Sequence, residues 1–217
     1  MTLPLYHLLR EPKIKKEKNP LLLLLHGYGS NEEDLFSFAP QLPEDCYVIS
    51  VRAPFNLQPY GHAWYEINFY GDASTFSNNE QARSSRDRVV EFIDALPGKY
   101  PDIDTNDITL IGFSQGCILS YAVALSFPEK VRRVVAMSGY LNREIIADDL
   151  DSRDFSHLRM FVSHGSSDQV VPVDWARASR PELDRLRINY EYREYPVGHG
   201  VAPQNFFDVL NFLQRTA

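Results

Sequence analysis

The sequence predicts an α/β fold with a mostly parallel central sheet flanked by helices and no large cap domain. Three observations predict it. Short apolar runs recur along the chain, most of them continuous rather than alternating, as in strands covered on both faces. Stretches with helical spacing fall between them, and a repeated strand–helix order builds a parallel sheet. At 217 residues, with 44% hydrophobic and 24% charged side chains, the chain suits one globular domain, 1–217, with a sizeable core.

The elements follow in order. "LPLYHLLRE" at 3–11 suits an edge strand. "LLLLL" at 21–25, "CYVISV" at 46–51, "ITLI" at 108–111, "RVVAM" at 133–137 and "RMFVS" at 159–163 read as buried strands. "INYEYREY" at 188–195 alternates, as an outer strand does. In 84–96, Val89, Ile93 and Leu96 share one helical face. "QGCILSYAVALSF" at 115–127 is apolar nearly all round, which predicts a central buried helix. Residues 174–187 and 203–215 are amphipathic, with Phe206, Val209, Leu210 and Leu213 on one face of the second. Two loops, 59–80 and 141–157, are too short for a large cap, so an open groove is expected.

Composition excludes some functions. The net charge of −7 argues against a nucleic-acid partner, because phosphate binding needs clustered Lys and Arg. Only "KIKKEK" at 13–18 is locally basic, and it reads as a solvated turn before a strand. The leucine run after it is shorter than the roughly 7–15 residues of a signal-peptide core. It is also far short of the roughly 20 residues that span a bilayer. No membrane insertion is therefore expected. Cys46 and Cys117 make no disulfide framework and fit a reduced, cytoplasmic setting, although one bridge between them stays open.

The chemistry centres on "LIGFSQG" at 110–116. A serine held on a tight strand-to-helix turn needs glycines two residues before and after it, where side chains would collide. Gly112 and Gly116 flank Ser114 in that way. Such a turn demands an acid and then a histidine downstream, with a second oxyanion donor upstream. "MFVSHGSSDQVVP" supplies Asp168 in a short loop after a strand, and "YPVGHG" presents His199 after another. The chain order Ser114, Asp168, His199 is that of the α/β-hydrolase arrangement. Each residue taken alone reads equally as an ordinary turn residue; their order at three strand ends is what carries the assignment.

Residue types fit the chemistry. A neutral imidazole can take the serine proton and later hand it to the leaving group. A buried carboxylate fixes the imidazole tautomer and stabilises the imidazolium. The oxyanion needs backbone N–H groups. Gln115 supplies one at a helix start, and Tyr28, in "LLHGYGS", the second. His26 and His164 each precede a glycine at a strand end and are read as shaping those turns. His7, His62 and His157 lack an acid–nucleophile context. Asp174 is a rival acid but reads better as a helix cap. No cluster has metal-ligand spacing, and neither G-x-G-x-x-G nor a P-loop is present, so no metal or cofactor is expected. Trp64, Tyr65 and Phe69, with Tyr70, are the aromatic candidates for a substrate wall, although at least two of these rings are expected to pack on the core.

The assembled segments "LLHGYGSNEEDL", "SVRAP", "AWYEI", "GFSQGC", "MSGYL", "HGSSDQVVP" and "YPVGHG" resemble the phospholipase/carboxylesterase family, small capless α/β hydrolases that include acyl-protein thioesterases. The likeness runs from Leu21 onward. It implies Ser114 as nucleophile, His199 as base, Asp168 as orienting acid and backbone donors at Tyr28 and Gln115. It also implies a cytoplasmic enzyme acting on small acyl esters, in a family where some members dimerise. "HGYGSNEED" looks more like the bacterial carboxylesterase branch than the eukaryotic depalmitoylating enzymes. Many relatives carry Ser or Glu where Gly200 follows His199; this departure should loosen the loop but leave the triad intact. The expected function is a serine carboxylesterase for short- to medium-chain esters, with thioesters or lysophospholipids as further substrates. Two rivals stand beside it: an amide hydrolase with the same triad, and a non-catalytic ligand receptor on a retained hydrolase site.

Overall fold

The computed structural model describes residues 3–68 and 77–215. A seven-stranded sheet runs through it. Its strands are β1 (His7–Arg10), β2 (Asn19–Leu25), β3 (Tyr47–Val51), β6 (Ile103–Phe113), β7 (Arg133–Met137), β8 (Arg159–Gly165) and β9 (Asn189–Tyr195), in the order β1-β3-β2-β6-β7-β8-β9. β1 pairs with β3 antiparallel. The other five pairings are parallel. A two-stranded ribbon, β4 (Phe55–Asn56) with β5 (His62–Ala63), stands apart. The helices are α1 (Glu33–Phe36), α2 (Asn79–Ala95), α3 (Gln115–Ser126), α4 (Val173–Arg185) and α5 (Pro203–Arg215). This is the α/β-hydrolase fold, with the alternating "INYEYREY" segment at one sheet edge and the N-terminal strand at the other.

The leucine run shows why buried parallel strands lack alternation. Leu21, Leu23 and Leu25 face the core shared with α2 and α3, whereas Leu22 and Leu24 face the core shared with α1 and α5. Both sides of β2 are covered, so every position is apolar. All twelve residues of α3 are buried, as its all-round apolar surface requires. α2 starts earlier than its apolar face suggests, because Asn78 caps it by accepting from the Gln81 N–H at 3.1 Å. Its first turn is polar and carried no periodic signal.

The loop 141–157 reads as polar in sequence but is anchored. Ile145, Ile146, Leu150 and Phe155 are buried beneath two short 3-10 turns. Asp174 is not the helix cap expected of it. Pro172 occupies that position, and Asp174 lies exposed in the first turn, 2.9 Å from Arg177. Cys46 and Cys117 are both buried and free. Among the described residues no helix is long and apolar enough to cross a membrane.

Glycines let α3 approach the sheet. A Cβ on Gly116 would lie 2.0 Å from the Leu25 carbonyl oxygen, and one on Gly112 would lie 2.4 Å from the Gly116 carbonyl oxygen. Gly116→Ala should therefore destabilise the protein by about 3 kcal/mol through backbone displacement. Gly200→Ala meets nothing within 4 Å and should stay within about 0.5 kcal/mol of the parent. Urea unfolding of both variants compares the two costs directly.

Candidate active site

Five loops leave the C-terminal ends of parallel strands and converge, where ligands of such sheets bind. Ser114 joins β6 to α3 with φ 54° and ψ −116°. Few residues adopt this conformation, and it costs about 1–3 kcal/mol. Three contacts hold it. The Ser114 N–H donates to the Met137 carbonyl at 2.9 Å. Gly112 and Gly116 leave room for the turn, as expected. A Cβ on Gly139 would lie 2.9 Å from the Ser114 carbonyl oxygen, so the β7 loop presses against it from the side.

His199 lies between the serine and the acid. Its Nε2 is 3.0 Å from Ser114 Oγ, and its Nδ1 is 2.7 Å from Asp168 Oδ2. The Phe113 ring packs against the His199 imidazole at a centroid distance of 4.9 Å. The Asp168 carboxylate is fully enclosed. Its Oδ1 accepts from the Val170 and Val171 N–H groups, each at 2.9 Å. A buried charge needs such donors. The acid and histidine loops touch where a Cβ on Gly165 would lie 2.2 Å from the Gly198 carbonyl oxygen. Gly165 thus brings His199 over Asp168. The sequence triad meets in space, and Asp174 takes no part in it.

The loop after β2 closes the other side. A Cβ on Gly27 would lie 3.3 Å from Ser114 Cβ, which puts the Gly27–Tyr28 peptide against the serine. His26 orients that peptide. The Ala53 N–H donates to its Nε2 at 3.1 Å, so Nδ1 carries the proton and donates to the Gly27 carbonyl at 2.8 Å. The Gly27 carbonyl and the Tyr28 N–H belong to one planar peptide, and fixing one end fixes the other. Burial holds the His26 imidazole below its ordinary pKa, in the neutral form this arrangement needs. β5 clamps the loop further on, through Gly29 N–H to His62 O at 2.9 Å and His62 N–H to Ser30 O at 2.7 Å.

Gln115 starts α3, where the first N–H groups have no partner within the helix. Its side chain has a role that the motif did not reveal. Oε1 accepts from the Trp64 N–H and Nε2 donates to the Tyr65 carbonyl, both at 2.8 Å. The indole of Trp64 donates to the His26 carbonyl at 2.9 Å. Trp64 and Tyr65 are fully buried and form a layer behind the site, with neither ring at its surface. Phe69 and Tyr70 lie outside the described residues. Further aromatic and apolar side chains past the ends of β7 and β8 were not singled out by the sequence. Tyr140 stacks edge-on against Trp175 at 5.0 Å, and Val170, beside the acid, is exposed. They escaped notice because Tyr140 follows β7, Val170 follows Asp168 and Trp175 lies in α4, with no shared spacing.

Comparison with known proteins places the fold in a family. Residues 11–217 match the family model described as Phospholipase/Carboxylesterase. Acyl-protein thioesterase 1 of Yarrowia lipolytica is 25% identical over 226 residues, covering 98% of both chains. The Aspergillus fumigatus protein of the same name is 28% identical over 223 residues, covering 94% of this chain and 90% of its own. Among solved structures, esterase PE8 superposes with a TM-score of 0.84 at 23% identity, covering 98% of this chain and 99% of its own. The Bacillus cereus carboxylesterase also gives 0.84, at 19% identity, covering 98% and 95%. At these identities the two structures establish the fold. The family match establishes more: the chain belongs to the phospholipase/carboxylesterase family and, with it, to the hydrolases of ester bonds.

One ion pair ties the loop after β2 to the segment just past β3. Arg52 Nε donates to Glu32 Oε2 at 2.6 Å, and Arg52 Nη2 donates to Oε1. These bonds hold the Glu32 carboxyl below its ordinary range. A depressed carboxyl pKa stabilises the fold fully above the unfolded value, about 4.3 for glutamate, and the gain is lost as pH falls through the lower folded value. Glu32→Gln should cost about 2 kcal/mol at pH 7. The gap to the parent should narrow as pH falls below about 4.3, as read from urea midpoints at pH 7 and at an acid pH. An equal gap at both would mean that charge is not what the pair contributes.

Proposed function

We propose that this protein is a serine carboxylesterase that hydrolyses short- to medium-chain acyl esters through an acyl-enzyme on Ser114, with thioesters or lysophospholipids as further substrates. The observation that carries the reading is the unbroken line Asp168–His199–Ser114, bonded at 2.7 and 3.0 Å, with its serine on a strained turn. His199 Nε2 takes the hydroxyl proton as Ser114 Oγ attacks the ester carbon. Nδ1–H stays bonded to Asp168, whose charge stabilises the imidazolium. The N–H groups of Tyr28 and Gln115 receive the oxyanion, each worth about 10²–10³ in rate. The imidazolium then protonates the leaving alkoxide or thiolate. A water deprotonated by His199 attacks the acyl-enzyme, and the acid departs.

In this reading the substrate wall is Tyr140, Trp175 and Val170. Trp64 and Tyr65 act indirectly, by holding Gln115 and His26. A cytoplasmic setting fits the two free thiols. Thioester hydrolysis uses the same steps, and the two acyl-protein thioesterase 1 relatives carry that activity in their names.

Hydrolysis of p-nitrophenyl esters from acetate to palmitate, measured for the parent and for Ser114→Ala, tests the mechanism. The variant should lose on the order of 10⁶ in kcat. Absence of turnover across the whole series, or activity retained by Ser114→Ala, would overturn it and favour a ligand receptor; a relative preference for the matching amide would favour a peptide hydrolase. Trp175→Ala should raise KM about tenfold for a medium-chain ester and leave acetate nearly unchanged, since only the longer chain covers that ring.

A further inference from the structure

We infer that His164 is a positioning residue for the reaction: it clamps the acid loop and holds Asp168 in register with His199. The inference rests on the triad reading of Asp168 given above.

His164 is the penultimate residue of β8, with no exposed surface. Its Nε2 lies 2.8 Å from the Val171 carbonyl oxygen. A carbonyl only accepts, so Nε2 carries the proton and the ring is the Nε2–H tautomer. The same nitrogen lies 3.3 Å from Asp168 Oδ2, the oxygen that accepts from His199. The hydrogen points at Val171, and the positive N–H edge faces the carboxylate. Residue 171 is thereby held twice, its N–H by Asp168 Oδ1 at 2.9 Å and its carbonyl by His164 at 2.8 Å. The carboxylate, the loop 168–171 and the imidazole form one closed ring of contacts. Asp168 cannot rotate away from His199 without breaking it.

A purely structural residue explains less. His164 Nδ1 is buried and has no hydrogen-bond partner among the described residues. Such orphaned atoms are rare and need a reason. An apolar side chain would fill the same space with no unpaired nitrogen. The other end of the ring supplies the reason, since only an N–H there satisfies Val171 O and faces the enclosed charge. The neighbouring strand does not take over this task. Glu194, opposite His164 in the β8–β9 register, is engaged by Arg177 at 2.6 Å.

The test is a double-mutant cycle on p-nitrophenyl ester hydrolysis, run with His164→Leu, Asp168→Asn and the pair. His164→Leu should lower kcat about tenfold, the scale of a lost hydrogen bond, with KM changed less than twofold. In the Asp168→Asn background it should cost less than twofold, because the group it positions is already disabled. His164→Gln, whose amide N–H can reach Val171 O, should recover activity to within about threefold of the parent. The same factor in both backgrounds, or a kcat unchanged by His164→Leu, overturns the inference. If Asp168→Asn itself leaves kcat unchanged, the triad reading fails first, and this result separates the two. Should His164→Leu not fold, ¹⁵N-histidine NMR of the parent and of Asp168→Asn decides. The expected result is a protonated Nε2 on His164 whose shift moves with Asp168→Asn. A protonated Nδ1, or a resonance unmoved by that change, overturns the inference.

Discussion

Everything at the site depends on a backbone that the chain would not adopt unaided. Ser114 sits at positive φ with an extreme ψ, and no local preference favours that. The conformation survives because its surroundings leave no alternative. α3 is buried along its whole length and packs onto β2 at glycine-only distance, while β6 arrives already locked between two parallel neighbours. The hydrophobic core supplies the energy and the glycines supply the space. The turn converts both into an Oγ that emerges beside His199.

The second requirement is electrostatic. Asp168 is an enclosed carboxylate, and its charge is tolerable only because donors surround it. Two of them are backbone N–H groups of its own loop, and one is His199. This arrangement leaves the acid little freedom. It also explains why a short loop such as "GSSDQVV" can hold a carboxylate firmly at the C-terminal edge of the sheet.

Histidine serves three ends here, and the atoms bonded to each ring decide which. His26 receives a backbone N–H on Nε2 and gives its proton to the Gly27 carbonyl, so it orients a peptide. His164 gives its proton to the Val171 carbonyl and clamps the acid loop. His199 alone has one nitrogen on a carboxylate and the other on a hydroxyl, an arrangement suited to proton transfer. His26 and His164 look alike in sequence, each before a glycine at a strand end. The expectation that both shape turns holds, but the direction in which each donates follows from partners far away in the chain.

The sequence by itself determined the fold class, the succession of buried strands along the chain and the three residues, Ser114, Asp168 and His199, whose side chains meet at their ends. These are legible because each rests on local physics: doubly covered strands must be continuously apolar, and a tight strand-to-helix turn must be flanked by glycine. The extent of α2 escaped because its first turn is polar and depends on the Asn78 cap. Only the tertiary structure decided that Trp64 and Tyr65 are fully buried, that Tyr140 packs on Trp175, and that Gln115 uses its side chain as well as its backbone. Those facts depend on which loops meet at the sheet edge. Residues 64 and 115, like 140 and 175, meet through packing between elements, and no spacing along the chain encodes either contact.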